Sequence, residues 1–531
     1  MPFKSSFLLI FFIFIPVLFT ACSPERTVKE FKTDDSIENA LFRYGKKGDA
    51  YRFRSPLHFP EDGNGLIITL QEESEGKLIL TGEDKDLSSY DFSGVRELGI
   101  PLQDITVYGL RFEGNTEKHP LLEDIQVGAP LRGIVFKEKG LYRWAGASLK
   151  SNDSFLEIHF SSPWELFSSL LIEYHYDTNE QELPQPVEII ALGLEKEEES
   201  RFKYYPRPGP NRIMIPEGVI GFSPSVFKVQ TSGRDFDVRS ITVEPPISRT
   251  DPFPITADMG IVMDYEKRYW RNPDYELFAW DQDPAILIMD TLNYRIQSKF
   301  FKRLAFFVEK RGYRGSLLTD SELPGLHGWN AQNYGARDLA DFFQQAYNTQ
   351  FPLSKGEELL KDILLKNGVL VSREDGSVGP GRGGILSISR QSPPVLRTQF
   401  INHEGQHGLF YSNRNFRDSC FDLWESFDGE TKRFWKTLLS WLSYSPDWEY
   451  LMVNEYQAYL LQFPLDITKS YFNSLIGGKI LPKTPSVGKF LDKFLREHPD
   501  YLINTAKTLA SVMYSETGYL PGKLTTIKRQ H

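Results

Sequence analysis

The spacing of apolar residues changes part-way along this 531-residue chain, and that change limits what it can fold into. Up to about residue 246 the apolar and β-branched residues come in short runs: 65–71 (GLIITLQ), 76–82 (GKLILTG), 155–161 (FLEIHFS), 170–177 (LLIEYHYD) and 236–244 (FDVRSITVE). Turn formers such as 61–65 (EDGNG) and 206–210 (PRPGP) separate them, so they read as strands of one or two β-sandwiches. The acidic run 195–199 reads as a solvated hairpin tip. After the proline-dense 244–255 (EPPISRTDPFPI) the period lengthens to that of a helix, in 292–312, 336–348 and 355–368. Seven of the nine tryptophans also fall between Trp270 and Trp448. A domain boundary is therefore expected near residue 247. It divides an N-terminal all-β, sandwich-like region over 51–246 from a mainly α-helical α+β region over 247–531. The glycine-rich 375–384 (DGSVGPGRGG) lacks the Gly-Lys-Ser/Thr ending of a phosphate loop and reads as a mobile loop.

At the N-terminus, Lys4 precedes the apolar run 7–19, and small residues Thr20 and Ala21 lead to Cys22. That is the layout of a secretory signal, too short to span a bilayer comfortably. Thr20-Ala21-Cys22 resembles a bacterial lipoprotein box. The resemblance implies a signal peptide over 1–22, a lipid on Cys22, a polar tether over 23–50, and export to a membrane face. Ser23 after the cysteine is similar to lipoproteins of the outer membrane. Only Cys22 and Cys420 exist, so a lipidated chain has no intramolecular disulfide and must rely on core packing. Cys420 itself reads as a small buried apolar residue. The net charge of −10, without a basic stripe, argues against a nucleic-acid partner.

The chemistry gathers at 401–410 (INHEGQHGLF). Ser392 followed by Pro393 and Pro394 looks like an N-cap with prolines in the first helical turn, which sets a helix over about 395–410. Residues four apart share a helical face, so His403 and His407 can address one ion, with Glu404 beside it. Neutral imidazoles suit Zn²⁺, and a zinc site that does chemistry needs a third protein ligand and an open position. A second helix is expected over 450–463 (YLMVNEYQAYLLQF), where Glu455 falls on a largely apolar stripe. A carboxylate there is either an ion-pair partner or a ligand. Histidines 58, 119, 159, 175, 498 and 531 have no metal-binding spacing.

His403-Glu404-x-x-His407, followed by Asn454-Glu455-x-x-Ala458, resembles the gluzincin class of zinc metallopeptidases. The resemblance implies Zn²⁺ held by His403, His407 and Glu455, Glu404 as general base, and a peptide or protein substrate. It implies that Ala458 lets the two helices pack closely. It also makes 385–389 (ILSIS) similar to the edge strand that receives extended substrates. Tyr456, Tyr459 and His327 are the candidate transition-state stabilisers. Two features depart from the class: 47 residues separate His407 from Glu455 (455 − 407 − 1), enough for an extra helix over 431–444, and Tyr459 stands where some members carry aspartate. The competing expectation is a catalytically inactive lipoprotein that acts as an adhesin or scaffold through its β-rich half.

Overall fold

A computed structural model of the chain describes residues 50–530 apart from 62, 114–119, 121, 163, 165–166, 179–183, 196, 232–235 and 247–252. It also describes the backbone of two short strands, Thr27–Lys29 and Leu41–Tyr44, within the span read as a tether. The signal segment and Cys22 lie outside the described residues, as does residue 247. No described helix is long and apolar enough to cross a membrane.

The first compact unit ends at Pro130 and takes in residues 139–141. Its strands Ala50–Phe59, Gly65–Thr81, Asp86–Pro101, Ile105–Glu113 and Leu122–Gly128 pair antiparallel. The runs 65–71 and 76–82, expected as two strands, form one of 17 residues. The polar stretch between them is absorbed by register shifts at Thr69/Ser74 and Ser74/Gly76 while the partner strand keeps pairing. Leu66, Ile68, Leu78 and Leu80 point inward at period two, and Leu110 and Phe112 meet them.

The second unit takes in both the remaining strands and all the long helices, so the expected boundary near 247 falls inside it. One antiparallel sheet runs Gly133–Lys137, Phe236–Glu244, Ser169–Tyr176, Gly209–Pro216. A second sheet is built from Ala147–Ser151, Phe155–Phe160, Val226–Gln230, Val187–Leu192 and Glu199–Tyr204. Tyr174 of the first packs edge-on against Tyr204 of the second, a sandwich-like arrangement. Val187–Leu192 and Glu199–Tyr204 pair as a hairpin, and Glu199, expected in its tip, already opens the second strand. The last strand, Ile527–Gln530, returns from the helical part and pairs with Glu199–Tyr204.

Beyond the sandwich lies a mixed sheet of five strands: β1 (Ile255–Ala257), β2 (Tyr275–Trp280), β3 (Asp283–Thr291), β4 (Gln332–Gly335) and β5 (Gly384–Ser389). Their order is β1-β2-β3-β5-β4, with β3 and β5 parallel. This corrects one expectation. The ILSIS strand, β5, is interior, paired on both sides, and all six of its residues are buried. The edge position belongs to β4, which is antiparallel to β5. Helices α1 (Tyr294–Val308), α2 (Ala336–Asn348) and α3 (Lys355–Lys366) pack an apolar core against this sheet. The glycine-rich segment is partly a strand, since Val378–Pro380 pairs with Leu370–Ser372.

The remaining helices include those that bear His403, His407 and Glu455. They include α4 (Pro394–Ser412), α5 (Arg414–Glu425), α6 (Gly429–Trp441), α7 (Glu449–Leu461) and α8 (Tyr501–Thr517). The gap between the two motifs thus holds two helices, α5 and α6. At the start of α4 the N-cap is Pro393, with no side-chain cap, so Ser392 does not serve there. What anchors this end is Arg397, whose guanidinium donates to both oxygens of the fully buried Asp290 on β3, at 2.8 and 3.1 Å. Arg390 donates to the same carboxylate at 2.6 Å. Gly405 lets the back of α4 close on the C-terminal tail, because a Cβ there would lie 2.5 Å from Leu524 Cδ1 and 2.9 Å from Met259 Cε. The α7 helix is buried almost all round and packs directly on α4, with Ala458 fully buried. Cys420 on α5 is fully buried as well.

Candidate metal centre

Helices α4 and α7 bring His403, His407 and Glu455 into one buried group whose ligand atoms lie within 4.8 Å of one another, an arrangement that can hold a metal ion. His407 Nε2 is 3.3 Å from His403 Nε2. The Glu455 carboxylate lies 3.6 Å from His403 Nε2 and 3.7 Å from His407 Nε2. Ligand atoms bound about 2.0–2.1 Å from one tetrahedral ion sit roughly 3.3–3.4 Å apart, so the spacing leaves room for a single ion and little else.

The donor set also fits a cation chemically. Burial pushes both imidazoles down to about 4, so they stay neutral and keep a lone pair. The Nδ1–H of His407 donates to Asn454 Oδ1 at 2.9 Å, which leaves Nε2 bare and aimed at the other two ligands. Glu455 is 1% exposed, and its Oε2 has no hydrogen-bond donor among the described residues. Burial raises its carboxyl to about 6, opposed by His407 and by the nearby Tyr444 hydroxyl. Neutral imidazole nitrogens and a carboxylate converging in a buried space are costly unless a positive ion joins them.

Glu404 lies next to this group and is not one of its three members. Its Oε2 accepts from Asn333 Nδ2 at 2.8 Å, and burial pushes the carboxyl up to about 8, with the charge of Glu455 adding to the rise. Tyr411 joins the two halves. Its hydroxyl donates to Asn333 Oδ1 and accepts from Asn454 Nδ2 at 3.3 Å. The asparagine holding Glu404 and the asparagine holding His407 are therefore coupled through one phenol.

A cleft of about 240 Å³ opens over His403 and Glu404. Of the candidate donors, Tyr459 lines it with its ring against His403, centroids 4.7 Å apart, and His327 sits exposed at its mouth. Tyr456 does not reach it. That residue lies about 100° around α7 from Glu455, which turns it into the helical core. There its hydroxyl donates to the Cys420 carbonyl at 2.7 Å and its ring packs on Trp424 and Trp435. Sequence reasoning missed Asn333, Tyr411, Tyr444 and Glu309, all but Tyr411 lining the cleft. It quoted Asn454 beside Glu455 without giving it a role; the adjacency was the available signal. No protein-family model and no curated protein matches this chain.

Proposed function

We propose that this chain is a zinc-dependent peptidase, exported and held to a membrane by a lipid on Cys22. The observation that carries the catalytic part is the triangle of His403, His407 and Glu455 with Glu404 beside it in an open cleft. A structural metal site has no use for a fourth, non-ligating carboxylate held by its own asparagine. The three ligands would hold Zn²⁺, which when bound makes water more acidic and polarises a carbonyl.

The remaining work belongs to the chain. Asn333 fixes one oxygen of Glu404, and the other has no donor among the described residues. With a cation in the triangle holding Glu404 ionised against its burial, that oxygen takes the proton from water as it adds to the peptide carbonyl, then passes it to the amine nitrogen as the C–N bond breaks. Tyr459 and His327 line the same cleft and can donate to the oxygen that gains charge, whereas Tyr444, also in the lining, gives its hydroxyl to Glu455. Burial of the site excludes bulk water and strengthens each of these interactions.

The test compares wild type with Glu404→Gln for zinc content and for cleavage of a mixed peptide pool. The reading predicts about one zinc per chain in both, with cleavage lowered at least a hundredfold in the variant. Full activity in Glu404→Gln would overturn it.

A further inference from the structure

Glu309 has no part in the metal triangle, yet it lines the cleft above it. Burial and the neighbouring acids oppose a carboxylate at this position, and Trp329 and Lys310 offset them only in part. The residue is 3% exposed. It forms the C-cap of α1, where the helix end carries partial negative charge. Glu404 and Glu455 are close enough that their charges raise its carboxyl further above the ordinary range than burial alone does. Its side chain receives one hydrogen bond among the described residues, from Trp329 Nε1 to Oε2.

Lys310 is the obvious neutraliser, yet its charge is the smallest of the influences on Glu309. No ion pair joins the two among the described residues; the Lys310 ammonium sits instead on the face of the Trp329 ring, 2.9 Å from its centroid. Neither lysine nor arginine lines the cleft, whose walls include Trp329, Phe400, Tyr444 and Tyr471. If a divalent ion is bound as proposed above, Glu455 and Glu404 already match its two charges. Glu309 is then a third acid among aromatic faces, with no cation in the cleft wall to hold it ionised.

We propose that Glu309 is the substrate-recognition residue of this cleft and takes a primary ammonium group. A guanidinium fits less well, because a bidentate pair needs both carboxylate oxygens and Trp329 already holds one. An ammonium needs a single strong acceptor and gains from neighbouring ring faces. Two parts of a peptide supply that chemistry, the free α-amine and the lysine side chain. The inference rests on the peptidase reading for its substrate class, although binding of the cation can be measured without turnover.

The experiment is calorimetric titration of the zinc-loaded protein with n-hexylamine and, separately, 1-hexanol at pH 7.5, for wild type and Glu309→Gln. Wild type should bind the amine roughly tenfold or more tighter than the alcohol, and Glu309→Gln should lose that preference. Because an amine can also ligate a metal, a preference that survives in the variant overturns the proposal, as does its absence in wild type. Should Glu309→Gln fail to fold, Glu309→Asp, which draws the charge back by one methylene, must weaken amine binding and leave alcohol binding unchanged; equal amine binding overturns the proposal.

A peptide series then separates the sources. Loss of cleavage on N-acetylation assigns the α-amine, and loss on replacing lysine by norleucine assigns the side chain. Indifference to both counts against Glu309 while leaving the peptidase reading intact. If no peptide is cleaved with zinc bound, the peptidase reading fails and the amine titration alone judges Glu309.

Discussion

Replacing Asn454 by leucine removes the group that sets the tautomer of His407 while nearly keeping the volume. Asn454 Oδ1 is the acceptor for His407 Nδ1 at 2.9 Å, and His407 is fully buried, so solvent has no route to stand in. Without that acceptor the ring has two choices. It can keep the proton on Nδ1 as an unsatisfied buried donor, at a cost of about 1–3 kcal/mol. Alternatively it can move the proton to Nε2 and lose the lone pair that faces Glu455. Both weaken metal binding. Loss of a partner that orients a ligand histidine typically costs roughly 10–100-fold in affinity, or about 1.4–2.7 kcal/mol. The assay is zinc competition against a chromophoric chelator at pH 7.5, with urea unfolding of the metal-free protein to check the fold. Asn454→Asp keeps the acceptor and should bind zinc at least as tightly as wild type. A folded Asn454→Leu variant with wild-type zinc affinity would refute the claim that Asn454 directs His407 Nε2 toward an ion.

Two further outcomes follow from the packing and the charges. Gly405→Ala puts a Cβ against Leu524 and Met259; because both neighbours are side-chain ends that can give, the cost should be about 1 kcal/mol in urea unfolding, and an unchanged midpoint would contradict the close seat of α4 on the tail. Asp338, in the first turn of α2, is raised by burial and by the charge of Asp341 from 3.8 to about 7. The folded chain therefore keeps a proton there that the unfolded chain gives up, so this group lowers stability progressively between about pH 3.8 and 7 and adds no change above that window. Asp338→Asn should flatten that part of the pH dependence of the urea midpoint, whereas parallel curves for variant and wild type would count against this assignment.

The parts of this protein that could be read in advance are those governed by local periodicity. Residues 336–348 form α2 as the spacing of Leu339, Phe342, Phe343 and Ala346 requires, and 236–244 form a strand of those bounds. The i, i+4 spacing likewise placed His403 and His407 on one face. Its extension along α7 separates Tyr459, one turn after Glu455 and at the site, from Tyr456, which is not. What stayed hidden depends on partners distant in the chain. Whether ILSIS is an edge or an interior strand is decided by the four residues of β4, too few to announce themselves. Asn333 and Tyr411 carry no motif, and they matter only because the fold sets them between Glu404 and Asn454. Glu309, next to Lys310 at the end of an amphipathic helix, looks in sequence like a solvated charge; burial makes it something else. The long strand Gly65–Thr81 reads as two in sequence because its polar middle resembles a turn, and only the continuing partner strand shows otherwise.

The central claim is that three side chains from two helices hold one metal ion and leave a place for solvent. Anomalous diffraction at the zinc absorption edge, on crystals of protein grown with zinc, tests it most directly. The account predicts one peak per chain within bonding distance of His403 Nε2, His407 Nε2 and the Glu455 carboxylate, with no fourth protein atom bound. A peak elsewhere, none at all, or a fourth ligand from the protein would contradict it.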